Sequence, residues 1–130
     1  MRTALSHPDV YKFDSPYSAA LRVGDLIFVS GAIPLDADGN LVGTGDPAAQ
    51  ARQALLNIQR LLGTEGAGFQ DVAQLTFYLA DMSHWKATGP ARAEFLSEPY
   101  PATTTLEVSR LVSTDWLIEI EAIAVLSKSR

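Results

Sequence analysis

A chain of 130 residues that is 47% hydrophobic and 19% charged has the apolar surface for one packed core, so one domain over 1–130 is expected and a disordered chain is excluded. A formal net charge of −5, with ten Lys and Arg residues scattered and no basic stripe, argues against a nucleic-acid partner. No apolar run nears the roughly 20 residues of a membrane span, the first ten residues lack a secretory pattern, and without cysteine there is no disulfide or thiolate metal ligand, which leaves a cytoplasmic protein without a membrane partner as the expectation.

Ser18 to Val23 and Leu26 to Ser30 are predicted as two short strands around Gly24-Asp25, residue types that accept the positive φ of a tight hairpin. Asp36 to Gly45 collects Asp, Gly and Asn and is expected as an exposed loop. Asp46 then offers a helix cap with Pro47 at the first helical position, and Ala51, Leu55, Ile58 and Leu62 recur at helical spacing up to the Gly-rich stop at Gly63 to Gly68. From Val72 to Ala80 a strand is predicted, with Ala73, Leu75, Phe77 and Leu79 on its apolar face. A second helix capped by Asp81 or Ser83 is expected to kink or break at Gly89-Pro90. Ala102 to Val108 and Leu117 to Leu126 complete the strands, the latter setting Ile118, Ile120, Ala122 and Ala124 against a face with Glu119 and Glu121.

Strands, helix, strand, helix, strands is the order of an α+β protein with helices on one face of a mixed sheet. The second sheet face mixes Thr, Tyr and Glu with aliphatic residues, a composition that oligomerisation would explain. His7 and His84 have no partner at metal-ligand spacing, so no metal is expected. Gly63 to Gly68 lacks the Lys-Ser/Thr of a phosphate loop and follows a helix, so it is read as a connection.

Segments in fixed order resemble the RidA family, also called YjgF or L-PSP: Pro16-Tyr17-Ser18, Val23 to Gly31, Ile33-Pro34-Leu35, Gln50 to Leu55, Asp71-Val72, Tyr78 to Met82, Glu94-Phe95, Tyr100-Pro101-Ala102, Leu106-Glu107-Val108 and Ile118 to Ala124. The resemblance covers nearly the whole chain from Pro16 to Val125. It implies a chorismate-mutase-like fold, a homotrimer whose sheets surround a central β-barrel, and clefts between subunits that take a small-molecule substrate. It also implies hydrolysis of reactive enamines and imines to 2-keto acids and ammonia, with no cofactor.

By the same resemblance Glu119 handles the catalytic water, and Tyr17, Ser30, Gly31, Thr103 and Thr105 bind substrate. One position departs from the pattern: where the deaminating branch has Pro-Ala-Arg, with the arginine forked onto the substrate carboxylate, this chain has Pro101-Ala102-Thr103. A threonine donates one neutral hydrogen bond and cannot replace the fork. The expected substrate therefore differs from the 2-imino acids. A non-catalytic trimer that binds a metabolite or a partner is the alternative, and ribonuclease activity is disfavoured by the acidic charge.

Overall fold

The computed structural model describes residues 1–127. A strand that the sequence reading did not anticipate, β1 (Arg2–Leu5), pairs antiparallel with β2 (Ala20–Val23), which turns through Gly24-Asp25 into β3 (Leu26–Ala32). Only Gly24 takes a positive φ in that turn, at 59°. Ser18 and Ala19 precede the strand, yet their carbonyls still hold Ser30, through its hydroxyl and its N–H respectively.

Helix α1 (Pro47–Gly63) begins as expected: the Asp46 carboxylate accepts from the N–H groups of Ala48 and Ala49, and Pro47 gives up no hydrogen bond there. Ala51, Leu55, Ile58 and Leu62 are fully buried. The chain leaves the helix through Gly66, whose φ of 69° is one that residues with a Cβ avoid.

In β4 (Val72–Leu79) the predicted apolar face needs one correction. Ala73 is exposed, because Val72 pairs with Ala124 and Gln74 with the next residue, Ile123, so Ala73 is an unpaired bulge residue outside the alternation. The expected second helix is also different. Two 3-10 turns, Met82–His84 and Lys86–Thr88, precede α2 (Gly89–Phe95). Gly89-Pro90 therefore starts the α-helix, at positions where the missing proline N–H costs nothing, and does not interrupt it. Asp81 caps the first of these turns through the Ser83 N–H.

The last strands are β5 (Ala102–Glu107) and β6 (Ile118–Val125). The sheet order is β1-β2-β3-β6-β4-β5, antiparallel except for the β4–β5 pair. A parallel neighbour requires a long crossover, and the segment containing α2 supplies it. One apolar cluster joins the helix-facing residues of the sheet, Ile27, Val29, Leu75, Phe77, Ile118 and Ile120 among them, to α1. Trp85 seals its edge by standing edge-on to Phe77, with ring centroids 5.1 Å apart. Removing the fully buried Phe77 ring would cost about 3–5 kcal/mol. The opposite face of β6 presents Glu119, Glu121 and Ile123, all half-buried. No helix among the described residues is long and apolar enough to cross a membrane.

Candidate functional site

Two chain irregularities bring the Glu119 site together. Between Val29 and Ala32, β3 advances three residues while its partner β6 advances two, from Ala122 to Ile120, so Ser30 and Gly31 form a bulge in the ladder. The Glu119 carboxylate rests against Gly31. A Cβ at that glycine would lie 2.2 Å from Oε2 of Glu119, a distance no side chain could occupy while the carboxylate stayed. Glycine is required here for close approach and not for its backbone angles.

The second irregularity is the strandless stretch from Tyr11 to Tyr17, which carries its aromatic rings into the same place. Phe13 stands 6.3 Å from the Tyr17 ring and 6.5 Å from that of Trp116, measured between centroids. With Ser15, Ser30, Ile33 and Val112 these residues line a cleft of about 400 Å³ that has Glu119 in its wall. Phe13 and Trp116 escaped the sequence reading because loop aromatics have no period to betray them. A signal was present nonetheless: three aromatics among seven residues, with no strand or helix to bury them.

Glu119 makes no hydrogen bond or ion pair among the described residues. Burial first, and the neighbouring Glu121 charge second, raise its pKa above the ordinary carboxylate value. Glu121 differs from it by having a partner, since it accepts a short hydrogen bond from the Tyr78 hydroxyl. That bond, assisted by burial and the two glutamate charges, pushes the Tyr78 pKa up to about 12, so the phenol stays a neutral donor. Partial burial and then the charge of Glu119 likewise raise the Tyr17 pKa. Tyr17 is 56% exposed at the cleft mouth. The Ser30 hydroxyl is occupied, donating to the Ser18 carbonyl at 2.6 Å, so what Ser30 offers the cleft is mainly its backbone.

Thr103 and Thr105 lie elsewhere on the chain. They are in register with Leu75 and Phe77 of β4, which places them on the helix-covered face, whereas Glu119 is in register with Tyr78 on the other face. The Thr103 hydroxyl turns back on its own backbone, donating to the Pro101 carbonyl at 3.0 Å. It borders a separate groove of about 450 Å³, together with Trp85, Arg92, Tyr100 and Pro101. The structure thus unites Tyr17, Ser30, Gly31 and Glu119, and holds Thr103 and Thr105 apart from them within one chain.

Three buried amides of α1 support the cleft from behind. Gln50 donates to the carbonyls of Gly43 and Asp115 and accepts from the Leu117 N–H at 2.7 Å, pinning the entry to β6 two residues before Glu119. Gln53 and Asn57 donate to the carbonyls of Ile33 and Leu35, fixing the exit from β3. His84 is half-buried on the first 3-10 turn with Nε2 4.0 Å from the Asp81 carboxylate. Among the described residues no group of three His, Asp or Glu side chains could hold a metal ion.

Residues 11–126 match the family described as Endoribonuclease L-PSP. A RutC family protein of Pyrococcus horikoshii is 42% identical over 109 residues, which are 84% of this chain and 86% of that one. The 3-aminoacrylate deaminase RutC of Acinetobacter baylyi is 36% identical over 110 residues, 85% of this chain and 86% of its own. Among solved structures, RidA from an Antarctic Psychrobacter superposes with a TM-score of 0.87 at 27% identity, over 95% of this chain and 99% of that one.

Proposed function

The chain belongs to the L-PSP family, also called RidA or YjgF, and on that footing we propose that it is a cofactor-free deaminase of a small reactive imine or enamine, working as a cytoplasmic homotrimer. The observation that carries this reading is the Glu119 carboxylate: partly desolvated, without a hydrogen-bond partner among the described residues, and exposed to a cleft large enough for a small planar molecule. The 3-aminoacrylate deaminase among its relatives acts on chemistry of this kind.

The geometry suits hydrolysis of an iminium. The positive C=N group is drawn to the Glu119 carboxylate, which takes a proton from water as the water oxygen bonds to the imine carbon. The proton then passes from Glu119 to the nitrogen of the tetrahedral adduct, and as the C–N bond breaks and ammonia leaves, the adduct's hydroxyl gives its proton back to Glu119 and becomes the carbonyl; release of that proton to the departing ammonia, as ammonium, restores the carboxylate. A carboxylate whose pKa is raised by burial is a stronger base than an ordinary one and takes that proton more readily. In this reading Tyr17 orients the substrate and the Ser30-Gly31 backbone walls it in.

Thr103 and Thr105 then act from a neighbouring subunit, which is why they stand apart from Glu119 in one chain. Support for assembly comes from the open sheet face, where Leu26, Phe28 and Val125 are exposed beside the half-buried glutamates. With Thr103 where the deaminating branch has its arginine, the substrate is expected to differ from a 2-imino acid in the position of its anionic group. The net charge of −5 disfavours RNA as substrate.

The test is ammonia release from freshly generated 2-aminoacrylate, 3-aminoacrylate and a panel of other imines, for the native chain and for Glu119→Gln and Thr103→Arg. Native turnover that falls by about 10²- to 10⁴-fold in Glu119→Gln is the expected result. Turnover that Glu119→Gln leaves untouched would remove the carboxylate from the mechanism. A native chain inert on the whole panel would instead make it a metabolite-binding member of the family. Sedimentation at micromolar concentration should give three times the chain mass, and a monomer would end the inter-subunit assignment of Thr103 and Thr105.

A further inference from the structure

We propose that Arg92 makes the Trp85–Thr103 groove a binding site for a carboxylate attached to a planar group, supplying from α2 the positive charge that position 103 on β5 lacks. The inference rests on the proposed function for its biological meaning, since it says where such a substrate would carry its negative charge. As a binding site it stands on the groove alone.

Arg92 is a partly buried guanidinium without a counterion among the described residues. The ion pairs among the described residues are Arg22 with Glu65, Arg52 with Glu94, and His84 with Asp81, and no described carboxylate lies within 4.0 Å of Arg92. Burial lowers its pKa, as befits a cation deprived of solvent, though guanidinium stays charged at any physiological pH. What holds it in place is neutral: its carbon Cζ lies 3.8 Å from the Trp85 ring centroid, and its Nε donates to the Thr88 hydroxyl at 3.0 Å. A long contact of 3.5 Å from Nη2 to the Trp85 carbonyl is the remaining bond. Both N–H groups of Nη1 are left without a partner among the described residues.

This arrangement is that of a preorganised anion fork. Stacking fixes the plane of the guanidinium and the Thr88 bond fixes its rotation, so the outer edge, Nη1 with Nη2, is the part left to grip a carboxylate. Arg92 borders a groove of about 450 Å³ whose other walls are Phe77, Leu96, Tyr100 and Pro101, apolar or aromatic surfaces suited to a flat organic group. Tyr100 is 65% exposed at its rim. Thr103 shares the groove, and its small side chain, folded onto the Pro101 carbonyl, leaves room that a longer residue would fill. Position 103 and position 92 thus line one groove.

Benzoate is the probe, with benzamide as its neutral isostere, followed by ¹H–¹⁵N spectra of the full chain that report the Trp85 indole N–H and the Arg92 Nε–H. Benzoate should shift both signals saturably, benzamide should not, and Arg92→Lys, which keeps the charge but loses the fork and the stack, should weaken benzoate by about tenfold or more. The inference is overturned if benzoate leaves both signals unmoved, if benzamide binds as well, or if Arg92→Lys binds benzoate undiminished. Ammonia release measured in parallel keeps the two readings apart. Benzoate binding without turnover retains the anion site and fails the deaminase, and turnover without benzoate binding does the reverse.

Discussion

The Glu119 cleft and the Arg92 groove are opposites in construction and in charge. The first is assembled from a bulge, a strandless aromatic stretch and the loop before β6, and it centres on an unpaired carboxylate. The second is built by helical turns leaning on an edge strand, and it centres on a guanidinium without a counterion among the described residues. Each holds one partly desolvated charged group that no described residue neutralises; Glu119 faces away from the helices on β6, whereas Arg92 stands on a helix that covers the other face of the sheet. A stable protein rarely leaves such charges buried without return. The contrast teaches that each region is complete as a fold and incomplete as a site, as expected of half-sites completed by a ligand.

The comparison can be broken by perturbing one region and watching the other. The largest expected effect is from Gly31→Ala, whose new methyl must displace the end of the Glu119 side chain. Turnover should fall about 100-fold through misplacement of the carboxylate, with unfolding in urea shifted by no more than about 1 kcal/mol. Benzoate binding at Arg92 should be unchanged, and a joint loss would show that the regions are not independent. Gln50→Ala should come next, costing about 2–4 kcal/mol in the same urea titration because it strands the Leu117 N–H and two carbonyls. Its effect on turnover should exceed its effect on benzoate, since Gln50 fixes the loop bearing Trp116.

Tyr17→Phe removes only a hydroxyl at an exposed cleft mouth, so a loss of about tenfold in turnover is expected. The smallest effect concerns pH. A carboxyl whose folded pKa is raised holds its proton more tightly when folded, so its contribution is favourable at low pH and is lost as pH rises from the ordinary glutamate range through the raised value. Melting followed from pH 4 to 7 should show that decline in the native chain and a flatter curve in Glu119→Gln. Equal slopes would mean that Glu119 is less desolvated than its position implies.

Much of this molecule was legible in the residues. The hairpin at Gly24-Asp25, the Asp46-Pro47 helix start and the alternation of β6 each rest on a strong local rule, and the structure follows them. The failures have equally local causes. Arg2–Leu5 has too little apolar pattern to declare a strand and becomes one by pairing with β2. Ala73 looked like a core residue until a bulge removed it from the alternation. Pro90 reads as an interruption of a helical segment, yet the 3-10 turns before it make it a beginning. At the site, period two gave the face of Glu119, but the aromatic walls and the separation of Thr103 depend on loops and sheet order, which no local pattern encodes. Gln50, Gln53 and Asn57 were recoverable in part, because polar residues at i, i+3 and i+7 lie along one stripe of a helix.

The Gln50 clamp also bears on how such a protein could change. It fastens the chain at Asp115 and Leu117, immediately ahead of Glu119, while Val112 and Trp116 in the same connection form the cleft wall. Insertions and deletions between Val108 and Ser113 can therefore be absorbed upstream of the fastening, remodelling the wall without moving the carboxylate. On the proposed function, the wall and the carboxylate can then vary separately, which makes that loop the segment to randomise when a new substrate is wanted on an unaltered scaffold.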